Sequence, residues 1–155
     1  MSARFPTPFD LLRSPEIRLP ACPARPLSLP LGLTRVSAGF PSPAEDYEDR
    51  RLDINDYLVR NPVSTFFFRV EGCSMEGEQI FDGDMLVVDR SLHPTHGHIV
   101  IAFLDGERLV KRLAFHGERV FLVAAHPDYP DIEIAGEREL VIWGVVVGRF
   151  NRVPA

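Results

Sequence analysis

Residues 98–115 read HIVIAFLDGERLVKRLAF, two apolar, β-branched runs on either side of Asp105-Gly106. Asp-Gly is among the dipeptides that tight hairpin turns favour, so His98 to Leu104 and Glu107 to Phe115 form the arms of a β-hairpin. Outward from it the same pattern repeats. Thr65 to Val70 and Met85 to Asp89 are strands by their aromatic and β-branched content, with Asp82-Gly83-Asp84 and His96-Gly97 as turns. After Gly117 come Arg119 to Ala124, a turn at His126-Pro127-Asp128-Tyr129-Pro130, a short strand over Asp131 to Ile134 and a last one over Leu140 to Val147. Short strands with no long helix between them predict a mainly β domain, built as a curled antiparallel sheet or partial barrel.

Upstream the composition changes. Residues 1–38 hold seven of the fourteen prolines and carry a charge of +3, leaving -8 on residues 39–155. Proline at that density interrupts helices and central strands, so residues 1–38 read as an extended, flexible arm. Ala38-Gly39, followed by Phe40-Pro41-Ser42-Pro43, puts small residues in a segment held extended by proline. A protease could bind such a segment as a strand. Residues 39–61 read as a linker with short helical pieces, an acidic start over Ala44 to Arg51 and a second over Asp53 to Arg60. Asp53 caps the second, and Pro62 ends it. Residues 62–155 form the β domain.

The chain is 155 residues long, 45% apolar and 25% charged, with a net charge of -5. That suits one soluble domain and disfavours a generic nucleic-acid or anionic-membrane binder. With no membrane-length apolar run and no signal peptide, a cytoplasmic location is expected. Cys22 and Cys73 make neither a disulfide framework nor a zinc set. His93, His96 and His98 sit on a Pro- and Gly-containing loop without further ligands, and Asp82-Gly83-Asp84 reads as a turn. No metal and no cofactor are expected.

One residue stands apart. The sequence has sixteen arginines and a single lysine, Lys111. Lysine can lose its proton inside a protein and arginine in practice cannot. Strand alternation places Lys111 with Leu109 and Leu113 on an apolar face and turns Arg108, Val110 and Arg112 the other way, with the arginines toward water. Desolvation lowers a lysine pKa, and a neutral amine can act as base toward a serine hydroxyl. Ser74, in the turn Gly72-Cys73-Ser74-Met75, is the matching nucleophile. Its neighbour Cys73 points the opposite way and is expected to be a buried, small, apolar residue.

These residues resemble the LexA/UmuD family of self-cleaving serine peptidases. Gly72-Cys73-Ser74-Met75 followed by Phe81-Asp82-Gly83-Asp84-Met85-Leu86-Val87-Val88-Asp89 is similar to the nucleophile segment. His96-Gly97-His98-Ile99-Val100-Ile101-Ala102 and Val110-Lys111-Arg112-Leu113 are similar to the strand and base that follow it, and Asp128-Tyr129-Pro130 and Gly144-Val145-Val146 to later parts. Gly39 to Tyr47 resembles the UmuD branch just after its cleavage site. Cys73 and His98 differ from residues often found at those places, and the first 30 residues match nothing in the family.

The resemblance implies a fold like the LexA C-terminal domain, a Ser74–Lys111 dyad, an oxyanion held by the backbone amides of Cys73 and Ser74, and self-cleavage between Ala38 and Gly39. It also implies stimulation by a RecA filament on single-stranded DNA during the SOS response. The 39–155 fragment would be a homodimer serving a UmuC-like subunit of an error-prone translesion polymerase. A signal-peptidase-like enzyme should carry a membrane anchor. A non-catalytic polymerase-binding module would need no dyad. A sequence-specific DNA-binding repressor would need a helix-turn-helix that the proline-rich arm cannot supply.

Overall fold

The structure, a computed structural model, describes residues 27–31 and 51–154. Nine strands and one short helix are found there: β1 (Ser28–Pro30), β2 (Arg51–Asp53), α1 (Ile54–Leu58), β3 (Thr65–Arg69), β4 (Met85–Asp89), β5 (Ile99–Leu104), β6 (Glu107–His116), β7 (Arg119–Val123), β8 (Ile132–Ile134) and β9 (Leu140–Phe150). A 3-10 turn lies at Glu76–Glu78. Seven strands form one antiparallel sheet in the order β3-β4-β9-β5-β6-β7-β8, and its ends do not meet to close a barrel.

The central hairpin forms as expected. Leu104 faces Glu107 across Asp105 (φ 51) and Gly106 (φ 87), two left-handed positions that let the turn follow the twist of the strands. β9 is the longest strand and reaches both β4 and β5 because its register shifts twice. Ile101 faces Gly144 while Ala102 faces Ile142, leaving Trp143 as an extra residue. Val87 faces Gly148 while Val88 faces Val146, leaving Val147 extra. Each bulge reverses which side chains look to which face. As a result Ile142 and Val145, which strict alternation would separate, share one cluster with Val100, Leu104, Leu113 and Leu122.

The opposite face is covered as well. Ile101 and Trp143 pack there with Val70, Met75, Leu86 and Val88. The rings of Phe66 and Phe68 stand edge-on to Trp143 at 5.1 and 4.8 Å, and the Arg90 guanidinium lies 4.6 Å from its ring centre. This modifies the expected strand faces of β6. Arg108 is exposed as expected, but Val110 packs against the second cluster and Arg112 is half-buried in an ion pair with Glu78.

Near the start of the described chain, β1 pairs antiparallel with β2. Arg51, expected to end a helical segment, is therefore in a strand; residues 44–50 lie outside the described residues. Asp53 explains the junction: Oδ1 accepts from Asn55 N at 2.8 Å, capping α1, while Oδ2 accepts from Leu27 N at 2.6 Å. Among the described residues, no helix is long and apolar enough to cross a membrane.

Candidate active site

Ser74 sits in the connection between β3 and β4, which buried and backbone contacts hold in shape. Gly72 has φ 88, and its amide donates to Asp82 Oδ1 at 2.8 Å. Met75 is 1% exposed, and its carbonyl accepts from Glu78 N and Ile80 N, anchoring the turn in the second cluster. A further stitch comes from the segment just after β7. Ala125 N donates to Ser74 O at 2.8 Å, and Gly77 N donates back to Ala125 O at 2.7 Å. Ser74 is thus fixed from both sides.

Lys111 approaches from β6, where it faces Val100 of β5. It is 6% exposed, and its Nζ donates to Ser74 Oγ at 2.5 Å. Burial lowers its pKa from the ordinary 10.5. No carboxylate among the described residues pairs with it, so nothing there offsets the burial by holding the proton on. The face of Tyr129 lies 5.7 Å away from Nζ. A buried amine with reduced basicity, in contact with a hydroxyl, can take that proton when the amine is neutral.

Cys73 differs from expectation. It is half-buried rather than enclosed, and its Sγ is 3.3 Å from the hydroxyl of Tyr129. That hydrogen bond, first among several causes, raises the Tyr129 pKa from 10.0. A sulfur that packs as a small apolar group in a closed core here meets a polar partner at the surface. Tyr129 also stands edge-on to His126 at 5.3 Å. Ser74 and Cys73 thus have separate partners, Lys111 and Tyr129.

The other expected positions have local roles. Asp82 holds Gly72. Asp84 is 1% exposed and accepts from Phe81 N, Arg149 and Asn151. His96 Nδ1 accepts from Phe115 N at 3.0 Å, and His98 Nδ1 accepts from Thr95 N at 3.2 Å, so both secure the loop before β5. Ala38, Gly39 and Cys22 lie outside the described residues. The sequence reading missed Gly77 and Ala125, although a glycine between Glu76 and Glu78 was a legible sign of close backbone approach. Tyr129 lies in the Asp128-Tyr129-Pro130 motif, and its contacts with Cys73 and Lys111 come from the tertiary fold.

Comparison with known proteins adds an independent line. A family model described as Peptidase S24-like matches residues 30–147. The chain is 49% identical over 128 residues to Protein MucA of Salmonella typhimurium, covering 82% of this chain and 87% of that relative. It is 46% identical over 123 residues to Protein SamA of Salmonella typhimurium strain LT2, covering 79% and 85%. It is 38% identical over 139 residues to LexA repressor 1 of Pseudomonas syringae pv. tomato, covering 88% of this chain and 68% of the repressor.

Proposed function

The chain belongs to the Peptidase S24-like family, and on that premise we propose that it is a serine endopeptidase that cuts itself between Ala38 and Gly39, with Ser74 as nucleophile and Lys111 as base. The observation that carries this reading is the 2.5 Å contact between Ser74 Oγ and the buried Nζ of Lys111. The steps balance as follows. Neutral Lys111 takes the Ser74 proton as Oγ bonds to the Ala38 carbonyl carbon, and the amides of Cys73 and Ser74 hold the oxyanion. The Ala38–Gly39 bond then breaks, and the new amine of Gly39 leaves with the proton from Lys111. Water, deprotonated by Lys111, then bonds to the Ala38 carbonyl carbon, the ester bond breaks, and Ser74 Oγ takes the proton back from Lys111 as Ala38 leaves as a free carboxyl terminus. Because the arm is held beside the dyad by tethering, within one chain or within a dimer, a high effective concentration replaces substrate affinity.

The resemblance to UmuD supports placing this reaction in the SOS response. A RecA filament on single-stranded DNA would favour the bound arm, and the 39–155 fragment would act as a homodimer with a UmuC-like polymerase subunit. The test is intact-mass measurement of the purified chain after incubation near pH 10, and with RecA, ATP and single-stranded DNA. Fragments 1–38 and 39–155 are expected from the wild type and none from Ser74→Ala. An unchanged mass under every condition would instead indicate a binding module that is not a peptidase.

A further inference from the structure

Tyr129 bridges the two halves of the dyad. Its ring face lies 5.7 Å from Lys111 Nζ, and its hydroxyl is 3.3 Å from Sγ of Cys73, the neighbour of Ser74. A tight turn places it. Tyr129 N donates to His126 O at 3.2 Å, with Pro127 second in that four-residue turn, a position proline suits because its own ring fixes φ. His126 stands edge-on to the tyrosine ring at 5.3 Å, and Ala125, one residue earlier, donates to Ser74 O. The segment that fixes the serine turn thus also carries the ring that faces the lysine.

A ring face beside an amine acts in two opposed ways. It attracts an ammonium, which holds the proton on, and it keeps water away, which drives the proton off. Distance and exposure decide between them. At 5.7 Å the ring is close to the outer limit of about 6 Å for that attraction. Tyr129 is itself 42% exposed, so solvent screens the attraction, whereas Lys111 is 6% exposed. Exclusion of water is the larger influence.

The titratable groups around this pair are Cys73 and Glu76 of the serine turn, and His126 and Asp128 beside Tyr129. From β5, apolar Val100 lies opposite Lys111, and on β6 the next residue, Arg112, is taken up by Glu78. The phenol stays largely protonated at pH 10, because its hydrogen bond with Cys73, first among several causes, raises its pKa from 10.0.

We propose that Tyr129 is a positioning residue of the reaction, its ring covering the Lys111 amine against water and its hydroxyl serving only to orient that ring through Cys73. This rests on the self-cleavage reading above. Lys111 is the only lysine in the chain, so its titration can be followed without catalysis. In the full-length Ser74→Ala chain, competitive labelling with acetic anhydride from about pH 7 to 11, read by peptide mass, reports the neutral amine of Lys111. Adding Tyr129→Ala is expected to raise the labelling midpoint by about one pH unit, and adding Tyr129→Phe to leave it within about 0.3 unit. With Ser74 present, Tyr129→Ala should cleave itself about tenfold more slowly than wild type near pH 7.5 and approach the wild-type rate toward pH 10.5. Tyr129→Phe should stay within about threefold throughout. Melting temperatures measured alongside confirm folding, and Tyr129→Leu, which keeps an apolar side chain, should show about half the alanine shift if the alanine variant unfolds. A midpoint that is unmoved or lowered, or a rate reduced by one factor at every pH, would overturn the cover and leave self-cleavage intact. Absence of fragments from the wild type, with the midpoint still raised, would overturn self-cleavage and leave the cover of Lys111 in place.

Discussion

Gly77 and Ala125 are in backbone contact: Gly77 N donates to Ala125 O at 2.7 Å, and a Cβ on Gly77 would stand 2.6 Å from that same oxygen. Ala125 in turn donates to Ser74 O. Alanine at position 77 must therefore push the serine turn away from the end of β7, and backbone cannot yield as a side-chain tip would. Gly77→Ala is expected to cost about 1–3 kcal/mol of stability and to slow self-cleavage more than about tenfold, the loss a misplaced nucleophile brings. Urea denaturation and intact-mass kinetics on one preparation read both. An unchanged rate would show that the stitch does not position Ser74.

Lys111 should separate catalysis from stability. Arg keeps its proton, so Lys111→Arg is expected to abolish self-cleavage, and its bulkier charge to destabilise the fold. Lys111→Met keeps the length and removes the buried charge. It is expected to be equally inactive yet as stable as the wild type or more so near pH 7. Cleavage by Lys111→Arg at a wild-type rate would eliminate the lysine as base.

The pH dependence follows from the direction of the Lys111 shift. Its folded pKa lies below 10.5 because burial disfavours the charged form, so between the folded and unfolded pKa values the unfolded chain binds more protons. Stability from this group then rises with pH across that window, and its cost is fully present below it. The self-cleavage rate is expected to rise through the same folded pKa, with a midpoint below 10.5. The melting-temperature difference between Lys111→Met and wild type should shrink as pH climbs toward 10.5. A rate independent of pH from 7 to 10.5 would contradict a titrating base.

Much of this arrangement is legible in the sequence. The period-two pattern around Asp105-Gly106 and the solitary lysine locate β5, β6 and the apolar face on which Lys111 lies, because alternation in a hairpin is a local property. The bulges at Trp143 and Val147 were not legible. Val141 to Val147 is almost uniformly apolar, so no contrast marks where the register slips, and the slip depends on pairing with both β4 and β5. The pairing of β1 with β2 was hidden for a related reason: a proline-bearing segment can be an edge strand, but its partner lies over twenty residues away. The Cys73–Tyr129 contact joins residues 56 apart in sequence, and nothing near Cys73 indicates it.

That contact allows the two candidate nucleophiles to be told apart. Cys73 Sγ meets Tyr129, whereas Ser74 Oγ meets Lys111. Cys73→Ala removes one surface hydrogen bond and leaves the serine turn's backbone stitches in place. It is expected to keep self-cleavage within about threefold of wild type, in line with loss of a hydrogen bond worth about 0.5 kcal/mol. Loss of all cleavage in a folded Cys73→Ala chain would move the nucleophile to the thiol.

Asp84 shows how the same loop is held from beneath. At 1% exposure it accepts from Phe81 N at 3.0 Å, Asn151 Nδ2 at 2.9 Å and Arg149 at 3.3 Å, joining the serine loop to the end of β9. Asp84→Ala strands all three donors around a small void, and truncating one partner of a buried charge pair costs about 3–5 kcal/mol. Arg149 is partly exposed, 36% at its side chain, and can turn to water, so the lower end applies. Asp84→Asn keeps the shape and one acceptor and should lose less than half as much. Equal losses in the two variants would mean that volume, and not the carboxylate's hydrogen bonds, secures the loop.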